Sequence, residues 1–343
     1  MEPHESARMT PLLALLAVVV IAASGWAAAL QPGLRVVVAI VLPGACATIL
    51  LAGIAWRVIA WAQSPVPFRI PLTAGQQASF RWVKPARLDN PATTAGVIGR
   101  MALEVLLFRS LARNVKTDTG PSGRLVFREA VAFWLAALAF HYGLLIVVFR
   151  HLRLVTQPVP ALVTGIAAVD SFFQIGVPAV YLSDALLLAG LGYLIARRLR
   201  EPQLRYLSLF ADYFVVFLLL GVATTGVLMR HFVRVDVVAV KEMAMSLVTL
   251  SSPRIAPSLH PLVFAHIALV SVLAACLPCT KLVHMAGVFL SPTRNLANNS
   301  RAVRHVNPWN TPATVHTYDE WEHEFRDKLI AAGLPLDGSA DRV

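Results

Sequence analysis

The sequence predicts an all-α integral membrane protein of about six transmembrane helices. Apolar residues gather in six runs, roughly 10–30, 36–62, 129–152, 173–196, 206–229 and 261–288. A helix needs about 20 such residues to cross the hydrocarbon core. The composition agrees, because 57% hydrophobic and 14% charged residues, with a mean hydropathy of +0.65, cannot cover a soluble domain of 343 residues. The basic residues also sit beside the apolar runs, as the positive-inside rule requires.

The first run follows Arg8, and Ala27-Ala28-Ala29 resembles a signal-cleavage site. Its apolar core is long for a secretory signal, so an uncleaved helix is expected. The stretch 63–128 after the second run is too long for a simple connection. It opens with Pro65, Pro67, Pro71, Pro85 and Pro91. From Ala95 to Asn114 it interleaves Val97, Met101, Leu103, Val105, Leu106 and Phe108 with Arg100, Glu104, Arg109 and Arg113. That pattern predicts a basic amphipathic helix at the membrane interface or against a partner subunit. A similar short helix is expected over 235–250. Pro278 interrupts the last run, where it is expected to kink the helix. The polar tail from Ser291 is expected to end in a helix capped by Thr317, with Glu320 at the capping-box position and Gly333 as its stop.

Six spans place 23 of the 30 Lys and Arg residues on one side, which is then the cytoplasm, so both termini are expected there. Ten of them lie in 63–128, and Arg197, Arg198, Arg200 and Arg205 follow the fourth run. The same clustering explains the net charge of +11 without nucleic acid. Cys46, Cys276 and Cys279 all fall in apolar runs, which excludes a secreted disulfide framework. Cys276-x-x-Cys279 is followed by Thr280 where covalent haem attachment would need His, so these thiols read as small buried hydrophobes.

Four of the ten histidines lie in the third and sixth runs: His141 and His151, then His266 and His284. Imidazole is rare in membrane spans, because its polar ring must be satisfied there. At about 1.5 Å per residue, the first two are separated by roughly 15 Å and the second two by roughly 27 Å. Antiparallel packing of the two helices pairs His151 with His266 at one level and His141 with His284 at the other. Two imidazoles above and below a flat ligand are what six-coordinate haem iron needs, so two b-type haems are expected. Gly143 would let a macrocycle approach the helix, and Arg150 and Arg153 would either meet its propionates or simply snorkel at the membrane boundary. His231 and His260 read as residues at helix ends. Asp184 and Asp212 read either as a proton path or as hydrogen-bonded interior carboxyls.

The ten- and eighteen-residue histidine spacings, with His141-Tyr142-Gly143 and Arg150-His151, resemble the gamma-subunit family of respiratory nitrate reductase. Within it, 67–71, Leu88-Asp89-Asn90-Pro91, 100–109, 307–310 and 318–322 are similar to the haem b membrane subunits of dissimilatory sulfur-metabolism complexes. The resemblance implies electron transfer between a quinone, menaquinone or ubiquinone, and a cytoplasmic iron–sulfur subunit. It also implies a periplasmic multihaem cytochrome c and further membrane subunits as partners. Ser171 stands where some relatives carry a quinone-site lysine. The expected organisation is two N-terminal spans (1–62), a basic cytoplasmic insertion (63–128), a four-helix haem domain (129–290) and a tail that docks a partner (291–343). The bacterial or archaeal cytoplasmic membrane is the expected location. A nitrate reductase subunit, and a haem-free scaffold or transporter, are the alternatives.

Overall fold

A computed structural model describes residues 3–64, 75–79, 82–119, 123–301, 316–334 and 336. The stretches 67–71 and 307–310, singled out above, lie outside the described residues.

Helix α1 spans Pro3–Ala29, and Pro32–Ala62 forms a second long helix, α2, through a π-helical stretch at Val37–Val41. Helix α3 is Thr94–Leu107, followed by the strands β1 (Val115–Thr119) and β2 (Leu125–Glu129), paired antiparallel. Helix α4 is Val131–His151 and α5 is Ala161–Phe172. A small hairpin, β3 (Gln174–Ile175) and β4 (Val180–Tyr181), leads into α6, Leu182–Arg200. Helix α7, Phe210–Val227, continues as a π-helical turn, Leu228–Val233, before α8, Val237–Val248. Helices α9 (Pro261–Cys276), α10 (His284–Leu290) and α11 (Tyr318–Ala331) complete the chain.

Among the described residues, five helices are long and apolar enough to cross a membrane: α1, α2, α4, α7 and α9 with their extensions. The bounds of the fourth expected run are corrected. The run 173–196 begins as the β3–β4 hairpin, and its helix starts only at Leu182. Helix α6 carries Asp184 in its first turn and Arg197, Arg198 and Arg200 in its last, so only its middle is free of charge. It nonetheless packs into the bundle, because Gly143 of α4 and Gly190 of α6 let the two backbones touch. A Cβ on Gly143 would lie 2.8 Å from the Ser183 carbonyl, and one on Gly190 would lie 2.8 Å from the Phe140 nitrogen. Small residues at such crossings replace hydrophobic drive with close van der Waals contact.

Helix α1 is a structural member of this bundle. Ala14, Val18 and Ala29 are buried, and Gly25 allows contact with the backbone of Phe264 and Ala265 on α9. Cleavage at Ala27–Ala29 would remove part of the core formed with Leu218 and Leu269.

The insertion folds as an amphipathic helix, as expected, but it is shorter. Thr93 caps α3, and the chain breaks at Phe108, which is left-handed at φ 49°. Glu104 holds the break by accepting from the Ser110 backbone at 2.9 Å and its hydroxyl at 2.6 Å. The helix is pinned to the segment after α10 by buried polar contacts. Arg100 donates to the Arg294 and Leu296 carbonyls, and Asn298 donates to Asn90 at 2.5 Å. Asp89 pairs with Arg109 and Arg113, and Arg109 holds its carboxyl below the usual carboxylate range. Thr317 and Glu320 form the expected capping box on α11, and Gly333 adopts φ 67° beyond it. The short helix expected over 235–250 is α8, capped by Asp236.

Candidate functional site

The structure brings the four span histidines together in two pairs. The rings of His151 and His266 are 6.5 Å apart between centroids and nearly parallel, at 16°. Those of His141 and His284 are 6.1 Å apart and nearly perpendicular, at 84°. A metal bonded to two imidazole nitrogens at about 2 Å each separates the ring centres by roughly 6 Å. Both pairs therefore have the spacing of a bis-imidazole site.

The hydrogen bonds leave the correct nitrogen free. His141 Nδ1 donates to the Ala137 carbonyl at 2.8 Å, and His151 Nδ1 to Val147 at 2.7 Å. His284 Nδ1 donates to Lys281 at 2.8 Å. A carbonyl can only accept, so the proton sits on Nδ1 in all three. His266 Nδ1 meets Thr225 Oγ1 at 2.8 Å, and that hydroxyl gives its own proton to the Gly221 carbonyl at 2.7 Å. Thr225 is therefore the acceptor, and His266 has the same tautomer. Among the described residues, no hydrogen bond occupies Nε2 of any of the four. A second nitrogen tied to a carbonyl or hydroxyl is the usual arrangement of a metal-bound histidine. The residues present fit haem.

The path to the second pair differs from the continuous helix expected. Pro278 breaks the last run outright, since proline removes a helix hydrogen bond and crowds the preceding turn. Leu277–Cys279 forms a 3-10 turn, Thr280 is extended, and α10 restarts at His284. Helix α2 supports the break. Gly53 makes room for the Pro278 ring, and Arg57 donates to the Pro278 carbonyl at 3.1 Å. His284 is thus carried on a separate short helix that the break re-aims.

Two expectations about neighbouring residues are corrected. Gly143 faces the α6 backbone and serves the helix crossing, so it opens no space for a macrocycle. Arg150 is committed to buried carboxylates, with Asp170 at 2.7 Å and Asp184 at 3.4 Å, and is not free for propionates. Arg153 lies exposed on the 3-10 turn after His151. His231 is also reassigned, because it is buried in the π-helical turn with Nε2 2.8 Å from Asp184. His260 does mark a helix end, accepting from the Leu262 nitrogen to cap α9. Asp212 completes the first turn of α7 and pairs with Lys281 at 2.6 Å, which makes it a structural carboxyl. Phe108 was missed as a site residue. Its ring stands edge-on to His141 at 4.9 Å, while Tyr142 and Trp134 of α4 bond to the Leu106 and Leu107 carbonyls.

Residues 97–305, more than half of the chain, match the model of the nitrate reductase gamma subunit family. The chain belongs to that family. The match begins inside α3, so α1 and α2 lie outside it. Two relatives extend the similarity further along the chain. The Hdr-like menaquinol oxidoreductase cytochrome b-like subunit of Archaeoglobus fulgidus is 40% identical over 286 residues, 82% of this chain and 85% of that protein. Its counterpart in Archaeoglobus profundus is 36% identical over 274 residues, 78% and 81% of the two chains. Family and helices together make the chain a multi-pass helical membrane protein. Among the described residues, no group of three or more His, Cys, Asp or Glu is gathered around one metal. A haem asks for only two axial ligands, so this leaves the histidine pairs as the candidate site.

Proposed function

We propose that the chain is a membrane cytochrome b subunit that carries electrons between menaquinol and a cytoplasmic iron–sulfur subunit. It would hold two b-type haems, one between His151 and His266 and the other between His141 and His284. The observation that carries this reading is the pair of ring separations, 6.5 and 6.1 Å, with every Nδ1 tied and every Nε2 free. Bound haem supplies reversible one-electron chemistry; the protein supplies ligands, orientation and a low dielectric.

Menaquinol comes from the relatives' names, which describe menaquinol oxidoreductase subunits. With α6, which packs into the bundle against α4, taken as the sixth crossing, the positive-inside distribution supports a cytoplasmic position for the His141/His284 pair and for both termini. The platform of Asp89, Asn90, Arg100 and Asn298 reaches that pair through Phe108 and would present it to the iron–sulfur partner. The motifs at 88–91, 100–109 and 318–322 favour DsrM of the DsrMKJOP complex, with a DsrK-like iron–sulfur subunit and a multihaem cytochrome c as partners in dissimilatory sulfur metabolism.

The chain purified in mild detergent should show a b-type spectrum in dithionite-reduced minus oxidised difference, and the pyridine haemochrome should count two haems per chain. A colourless protein from haem-replete cells would refute the reading.

A further inference from the structure

A second buried cluster lies one level beyond the His151/His266 pair and takes no part in holding it. Helix α7 supplies Thr225 to His266, and six residues later, roughly 9 Å further along the axis, it supplies His231. His231 is 8% exposed, Asp184 and Asp170 6% each, and Ser183 1%. His231 sits in the π-helical turn, a distortion that recurs at functional sites.

We propose that His231 is the proton acceptor for menaquinol at this end of the protein, with Asp184 as its orienting carboxylate. The proposal rests on the electron-transfer reading above. Asp184 Oδ2 accepts from His231 Nε2 at 2.8 Å, so the ring proton sits on Nε2 and the lone pair on Nδ1. Among the described residues, Nδ1 has no hydrogen-bond partner. A carboxylate behind one ring nitrogen and a lone pair on the other is the arrangement that makes imidazole a directed base.

The pair sits in a network of charged and polar groups. Arg150 bridges Asp184 and Asp170, and Asp170 accepts from the Ser183 nitrogen at 3.1 Å and its hydroxyl at 2.7 Å. Tyr181 stands edge-on to His231 at 5.0 Å, and its hydroxyl accepts from Arg230 at 2.7 Å. Arg150 and Arg230 face the two carboxylates, Asp170 and Asp184, so the cluster is charge-balanced around a neutral ring. Placing a charge in a buried site is costly unless it is compensated in this way.

The step balances as follows. Oxidising one menaquinol breaks two O–H bonds and removes two electrons, giving the quinone. A haem held by His151 and His266 would take the electrons one at a time, passing the first on toward the His141/His284 pair before it takes the second. One hydroxyl proton passes to His231 Nδ1 and then to water, and the other follows once the ring is neutral again. Asp184, Arg150, Asp170 and Ser183 are positioning residues, which act through His231.

The test uses the full-length haem-loaded chain as wild type, His231→Gln, Asp184→Asn and Asp184→Glu. Haem content, thermal melting, stopped-flow haem reduction by menadiol and binding of a hydroxyquinoline N-oxide quinol analogue are each measured from pH 5.5 to 8.5. His231→Gln and Asp184→Asn should keep both haems and their melting temperature yet slow menadiol-driven reduction by roughly 10²-fold. The pH dependence of the menadiol-driven rate in wild type should be flattened in His231→Gln, and analogue binding should weaken in His231→Gln. Asp184→Glu should recover most of the rate. Unchanged rates and pH profiles would overturn the proposal. So would haem loss and early melting in all three variants, which would mark the pair as a structural staple between α6 and α7. Haem in the wild type that dithionite reduces and menadiol does not would overturn the menaquinol reading itself, and this proposal with it.

Discussion

Thr225→Val is the substitution that most sharply separates a haem ligand from a packed histidine. Valine has nearly the shape of threonine, so the α7–α9 packing persists while the acceptor for His266 Nδ1 is lost. That contact is 2.8 Å long and is relayed to the Gly221 carbonyl at 2.7 Å. Leaving a buried donor unsatisfied costs about 1–3 kcal/mol. Losing such an outer partner lowers metal affinity by about 10–100-fold. The His151/His266 haem should therefore transfer to excess apomyoglobin about 10–100 times faster than in wild type, and the other haem at its wild-type rate. The imidazole also becomes a weaker donor to ferric iron, so the potential of this haem should rise by some tens of millivolts. A tenfold difference between oxidation states corresponds to about 59 mV for one electron. Equal transfer rates and an unshifted potential would refute the role given to Thr225 and with it the tautomer argument for His266.

The ring planes predict two distinct ferric signals. Parallel imidazoles reinforce one another's in-plane splitting of the iron d orbitals, whereas perpendicular ones cancel it. The 16° pair should give an ordinary rhombic low-spin resonance and the 84° pair a strongly anisotropic one in the same frozen sample. Gly143→Ala should destabilise the chain by about 1–3 kcal/mol, read as a lower melting temperature, because its Cβ would lie 2.8 Å from the Ser183 carbonyl and 2.9 Å from the Leu187 nitrogen. Asp89 is held low by Arg109 and Arg113, so its stabilisation is complete above the ordinary carboxylate value of about 3.9 and is lost as pH falls through the lowered one. Limited proteolysis of the 82–113 platform should accelerate only in strong acid, and in Asp89→Asn it should be fast already at neutral pH.

The histidine pairing was legible because antiparallel helices match levels whatever their exact path. His266 and His284 reach their partners even though Pro278 splits the last run where only a kink is expected. The fourth run misled because hydropathy alone cannot tell Ile175, Val180 and Tyr181 in a helix from the same residues in a short hairpin. Gly176 and Pro178 were the turn signals there. The β1–β2 hairpin left only a turn signal, Gly123 between two short segments with no clear alternation of apolar and polar residues. Thr225, Phe108 and the Asp184–His231 pair were not legible in the same way. Each acts across helices far apart in sequence, and only packing shows which side chain a ring nitrogen meets. Gly143 shows the converse, since a glycine beside a ligand serves a helix crossing as readily as a cofactor.

The most direct test of the central claim is the haem content and frozen-sample resonance spectrum of four single variants, His141→Ala, His284→Ala, His151→Ala and His266→Ala. The structure predicts that His151→Ala and His266→Ala each lose the rhombic signal and keep the anisotropic one, and that His141→Ala and His284→Ala do the reverse. Two haems retained in any of the four, or losses that pair the histidines differently, would contradict it.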